Sequence, residues 1–203
     1  MMEREHETER FRAAIRAFDE AHQRDPRTET VGGRSYPREL LYAQRLTNWV
    51  KRLAPNPSEE LLLAARCQHI ERWTIPRQRF PAGRKGYLDW RRTLAEFHAE
   101  RAEDILAEVG YPPSTIQRVR SLLLKENLKT DPEMQLLEDA ICLVFLETEF
   151  HEFAQRTPEE NLLRILRKTW RKMSPRARQM ALELDLDPQD RALIHKAIAQ
   201  RSL

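Results

Sequence analysis

A chain of 203 residues, a third of them charged and with a net charge of +3, is long enough to bury a substantial core and needs no metal or disulfide merely to fold. Five glycines against many Leu, Ala, Glu and Arg favour helix and leave little material for hairpin turns. No apolar run reaches membrane-spanning length and the charged start Met-Met-Glu-Arg-Glu-His is unlike a secretion signal, so a cytoplasmic protein with no membrane partner is expected. Cys67 and Cys142 both sit in apolar runs without metal-ligand spacing, which predicts buried free thiols.

Residues 8–23 read as an amphipathic helix with Phe11, Ala14, Ile15 and Phe18 on one stripe. From Asp25 to Tyr36, Pro26, Gly32 and Gly33 predict a loop. Pro37 then opens a helix to about Leu53, facing Leu46, Trp49, Val50 and Leu53 inward. Ser58 followed by Glu59 and Glu60 starts one from about 58 to 72. Pro76, Pro81, Gly83 and Gly86 predict no long helix before Asp89, from which one runs to Val109 and stops at Gly110. Pro112-Pro113-Ser114 begins another to about Asn127, and Asp131-Pro132-Glu133 a strongly apolar one to about Phe153. Thr157-Pro158-Glu159-Glu160, Ser174-Pro175 and Asp187-Pro188 start the remaining three. The pattern predicts one all-α helical bundle over 1–203, with 73–90 as an inserted loop and the helices of 159–203 packed on the bundle.

Charge on faces that should be apolar marks a candidate site. His98 shares a stripe with Leu94, Ala102, Ile105 and Val109, and Glu126 extends the stripe of Val119, Leu122 and Leu123. Glu138 and Asp139 interrupt the apolar run 136–146, and His69 ends the helix that carries Leu62 and Ala65. A buried carboxylate is costly unless paired or bound to metal. Taken singly, each is accounted for by packing or a local ion pair. As a set from four helices, they are able to build a mixed N and O metal site, with His69, His98 and Asp139 as ligands, Glu126 as fourth ligand or catalytic base, and Glu71 in reserve.

The segment 72–92 holds seven basic residues and one acidic, Asp89. Arg72, Arg77, Arg79, Arg84 and Lys85 are predicted to bind an anion, and Trp73, Tyr87 and Trp90 to offer stacking faces. Such a loop reads as a lid over a phosphorylated small molecule, or as an ordered surface loop whose arginines pair locally. The helix 159–173 sets Leu162, Leu163, Leu166 and Trp170 on one arc and Arg164, Arg167, Lys168 and Arg171 on the other, a solvated face or an RNA contact.

The segments Gln68-His69-Ile70-Glu71-Arg72-Trp73 and Leu166-Arg167-Lys168-Thr169-Trp170 resemble a family of uncharacterised bacterial and fungal proteins, over about Phe11 to Leu184. More distantly, 63–70, 97–110 and 137–140 are similar to the metal-bearing segments of the HD superfamily, helical phosphohydrolases with some diiron oxygenases among them. Tyr42 stands where that family's first metal histidine is expected, Gln68-His69 replaces its His-Asp pair, and Lys125-Glu126 falls near a further histidine position. The resemblance implies an HD-like bundle and a hydrolase acting on a phosphorylated or nucleotide-like molecule with a divalent ion such as Mn, Fe, Mg or Zn. A diiron oxygenase and a non-catalytic anion- or RNA-binding module are the alternatives.

Overall fold

Each helix start rests on a local signal. Thr8 and Ser58 accept hydrogen bonds from the amides of Phe11 and Leu61, beginning α1 (Glu9–Gln23) and α3 (Glu59–Cys67). Asp131 does the same for Glu133 and Met134 at the start of α6 (Pro132–Val144), and Ser174 for Ala177 at α9 (Pro175–Leu182). Prolines occupy the first turns of α5 (Pro113–Leu123), α6 and α9, where no amide hydrogen is needed. The other helices are α2 (Arg38–Leu53), α4 (Gly83–Glu108), α7 (Phe150–Gln155), α8 (Glu159–Lys172) and α10 (Pro188–Ala199). The computed structural model describes residues 8–128 and 130–199.

The all-α expectation holds, with five local departures, the first being that α3 ends at Cys67 and not near residue 72. Within the stretch read as a loop, β1 (Thr28–Val31) and β2 (Arg34–Pro37) pair antiparallel, Thr28 opposite Pro37 and Val31 opposite Arg34. Gly32 and Gly33, at φ +56° and +78°, supply the two left-handed residues that a tight hairpin turn demands. Helix α4 starts at Gly83, not Asp89. Gly83 takes φ +83° just inside the helix, and Gly86 has no Cβ to strike the Pro81 carbonyl, which would lie 2.0 Å from one. Helix α5 ends at Leu123, because Lys125 and Asn127 adopt left-handed φ of +59° and +56°. The apolar helix is interrupted at Phe145–Glu149 by a π-helical turn before α7.

Helices α2 and α6 lie against each other at the centre, and α3 packs on α1, α2 and α5. α4 lies along α5 and α1, while α8 and α10 pair and α9 sits on α6. A continuous buried cluster runs from Phe11 through Trp49, Leu106 and Leu143 to Ala197. Both cysteines are buried and free. Among the described residues no helix is long and apolar enough to cross a membrane.

Candidate functional site

Where α3 ends, the chain turns through Gln68–Glu71, with Glu71 left-handed at φ +51°, and enters a 3-10 turn at Arg72–Thr74. This places His69 between α2 and Arg72. Its Nδ1 lies 3.3 Å from a Glu39 carboxylate oxygen, and its Nε2 accepts from Arg72 Nη1 at 2.9 Å. A guanidinium only donates, so the ring proton sits on Nδ1, facing Glu39. The Tyr42 ring stacks on the imidazole at 4.2 Å and 17°. Burial and then the Arg72 charge push the His69 pKa well below its usual value, so the ring is neutral.

The second imidazole is fixed as firmly. His98, 3 % exposed, points Nδ1 at the Ile70 carbonyl, 2.8 Å away. A carbonyl only accepts, so Nδ1 carries the proton and Nε2 bears a bare lone pair. That Nε2 is buried and has no hydrogen-bond partner. Burial, then the neighbouring His69 and Arg72, lowers its pKa to about 3. The two rings are 5.9 Å apart.

Glu39 is oriented from the other side. Asp25 accepts from the Arg27 backbone amide and guanidinium and from the Glu39 amide, at 2.9 to 3.1 Å. Arg27 also donates to Glu39 at 2.7 Å. Burial alone would raise the Glu39 carboxyl, but the His69 hydrogen bond and the Arg72 and Arg27 charges hold it well below the ordinary range.

Arg72 is the unusual member. Its guanidinium lies 5.0 Å over the Trp90 ring and, among the described residues, no carboxylate reaches it within ion-pair distance. Burial chiefly lowers its pKa, against the pull of the Glu39 charge and with Arg91 contributing, and the Arg91 charge also acts on His69, Tyr42 and Lys125. Lys125 is tied to the buried Glu138, which Lys172 also holds at 2.8 Å. Positive charge thus collects beside two neutral imidazoles.

On the Tyr42 side a cleft of about 360 Å³ opens. Strand β1 contributes Glu29, helix α2 Glu39, Tyr42 and Arg45, and the π turn Thr148 and Glu149. Glu29 pairs with Arg45 at 2.7 Å. Burial raises the Glu149 carboxyl, against the pull of Arg38 and Arg72.

The structure brings His69, His98, Arg72 and Trp90 together, but sends the other predicted residues elsewhere. Asp139 accepts from the Ser174 amide at 2.8 Å and from Gln135 at 2.9 Å, joining α6 to the start of α9. Glu71 pairs with Arg101 at 2.8 Å. Glu126 is exposed in the turn after α5, because that helix has already ended. Arg77 turns back on its own loop, donating to the carbonyls of Phe80 and Pro81 at 2.9 and 2.8 Å. Arg79, Arg84 and Lys85 are exposed, and Tyr87 lies 6.0 Å from Trp90, whose indole N–H donates to the Ile75 carbonyl. Trp73 is half-buried.

No three His, Cys, Asp or Glu side chains among the described residues are grouped to hold an ion. Of the three expected ligands, His98 alone keeps a nitrogen unengaged, since His69 is used on both sides and Asp139 by its own neighbours. Such a donor set does not fit a zinc-type ion, which takes three or four protein ligands.

A model of the DUF4202 family, described as a domain of unknown function, matches residues 12–194. The chain belongs to the DUF4202 family. The match spans every element of this DUF4202 site, from Asp25 through Glu149. No curated protein and no solved structure matches it.

Sequence reasoning missed Glu39, Arg91 and Glu149 in this DUF4202 chain. Glu39 was accessible to the same test as His98: it begins the stripe of Tyr42, Ala43, Leu46 and Val50, where a charge has no place unless paired. The π turn that directs Glu149 leaves no sequence signal.

Proposed function

We propose that the protein binds a phosphorylated or nucleotide-like small molecule at Arg72 and hydrolyses it. One observation carries the reading: Arg72 is a half-buried guanidinium that makes no direct ion pair among the described residues, Glu39 acting on it only from across His69, and the charge of a second arginine, Arg91, opposes its own. A partly desolvated cation without a direct counter-ion is costly, and an anionic ligand supplies one. Arg72 and Arg91 would hold the phosphate, with Lys125 adding to the potential.

The neighbouring groups suit hydrolysis. The bare Nε2 of His98 accepts a hydrogen bond from a water and turns the water's lone pair toward phosphorus. As the new O–P bond forms, the bond to the leaving oxygen breaks. A proton from the attacking water passes to the leaving oxygen, and Glu149, on the wall of the adjacent cleft, accepts a hydrogen bond from the departing hydroxyl.

The test is isothermal titration with inorganic phosphate and with phosphorylated small molecules, followed by assays for released phosphate. Arg72→Gln is expected to weaken phosphate binding by at least about tenfold, the scale of one charge-assisted hydrogen bond. Equal affinity in the wild type and Arg72→Gln would sink the proposal.

A further inference from the structure

The cleft beside Tyr42 is only partly used by the chemistry above. Tyr42 is 7 % exposed and lines the cleft, and its hydroxyl makes no hydrogen bond among the described residues. Stacking on His69 fixes the ring, so the hydroxyl cannot swing to a protein partner. Burial, then the Glu149 and Glu39 charges, keeps it protonated, and it therefore offers a proton to whatever occupies the cleft. Glu149, on the adjacent π turn, makes no ion pair or hydrogen bond among the described residues and offers lone pairs. Glu29 and Glu39 are already engaged by Arg45 and by Arg27 and His69.

We infer that this cleft receives an uncharged, hydroxyl-bearing part of the ligand, making that ligand a phosphorylated sugar or polyol. The inference rests on the proposed function, which places the phosphate at Arg72 and Arg91. The chemistry of the lining selects among occupants. A phosphate in the cleft would meet four carboxylates, Glu29, Glu39, Glu149 and Glu152, against two arginines, Arg38 and Arg45, of which Arg45 is already paired with Glu29. An ammonium group would satisfy Glu149 but leave the Tyr42 proton with no acceptor. A hydroxyl both donates and accepts, and so serves both. A cleft of about 360 Å³ has room for roughly a dozen water-sized groups, the bulk of one sugar ring. The span is short, because Tyr42 and Arg72 contact the same imidazole, one on its face and one on its edge.

The experiment is calorimetric titration of the full chain with ribose 5-phosphate and with inorganic phosphate. The sugar phosphate is expected to bind at least about tenfold more tightly than phosphate. Tyr42→Phe, which keeps the stacked ring, is expected to erase that difference while inorganic phosphate still binds as in the wild type. Glu149→Gln, of nearly the same shape, should reduce the sugar-phosphate advantage in the same direction and serves if the Tyr42 variant does not fold. Equal affinity for the two ligands, or a Tyr42→Phe effect of the same size on both, overturns the cleft assignment and leaves the proposed function standing. Binding of neither ligand overturns the proposed function.

Discussion

In α4 the His98 ring sits among Leu94, Ala102 and Ile105, and its Nδ1 proton is committed to the Ile70 carbonyl. Removing the ring opens a cavity and leaves that carbonyl without its donor. His98→Ala is expected to cost about 2–4 kcal/mol in urea unfolding, from the two effects together. Elemental analysis of the same preparations separates this role from ligation. Wild type and variant should both carry divalent metal far below one equivalent per chain; one equivalent of Mn, Fe, Mg or Zn that vanishes in His98→Ala would make the histidine a ligand. The apolar stripe correctly predicts that His98 is buried on α4, whereas His69 lies in the turn beyond the end of α3 and on no helical stripe. What a stripe cannot reveal is where the ring nitrogens go. Arg72 on Nε2 and Glu39 on Nδ1 come from segments three and thirty residues away, and only the turn after α3 brings all three into contact.

Helix α6 shows how a charge on an apolar face becomes structural. The Asp139 carboxylate bridges α6 to the chain entering α9 through the Ser174 amide, while Gln135 also reaches the Lys172 carbonyl at 2.8 Å. Asp139→Ala should therefore destabilise by about 1–3 kcal/mol, the penalty of an unpaired buried amide. Phosphate affinity should be unaltered in that variant; a parallel loss of binding would return Asp139 to the site. Helix starts were legible because caps and prolines are local chemistry. The early start of α4 was not, because it depends on Gly86 lying against the Pro81 carbonyl, a contact between neighbouring backbones that composition does not encode. The hairpin hid for a related reason: its strands are short and exposed, so no alternation of apolar residues announces it.

Among the described residues three histidines are folded away in neutral form: His22, whose Nε2 donates to the Arg66 carbonyl at 2.8 Å, with His69 and His98. In the unfolded chain each imidazole takes a proton near pH 6.5, whereas folded His98 does so near 3. Above pH 6.5 neither state gains a proton and stability is unaffected. Below it the unfolded chain binds protons that the folded chain refuses, and stability falls by up to about 1.4 kcal/mol per pH unit for each ring. The paired carboxylates Glu39 and Glu138 act lower down, their contribution being lost as pH drops below about 4.5. Urea midpoints measured from pH 8 to pH 4 should be level to about 6.5 and then decline steeply; a level curve down to pH 5 would contradict neutral burial of the three rings.

The π turn at Phe145–Glu149 carries one residue more than a regular helical path between α6 and α7 requires. With 3.6 residues to a turn, that extra residue rotates everything after it by about 100°. Thr148 and Glu149 face the cleft on this account, while Glu147 accepts the Trp49 indole proton at 2.7 Å. An uninterrupted helix would have better backbone hydrogen bonds and a different acidic face. The chain thus holds a less comfortable backbone at the wall of its cleft, so selection for thermal robustness and selection for what the cleft does pull this segment in opposite directions.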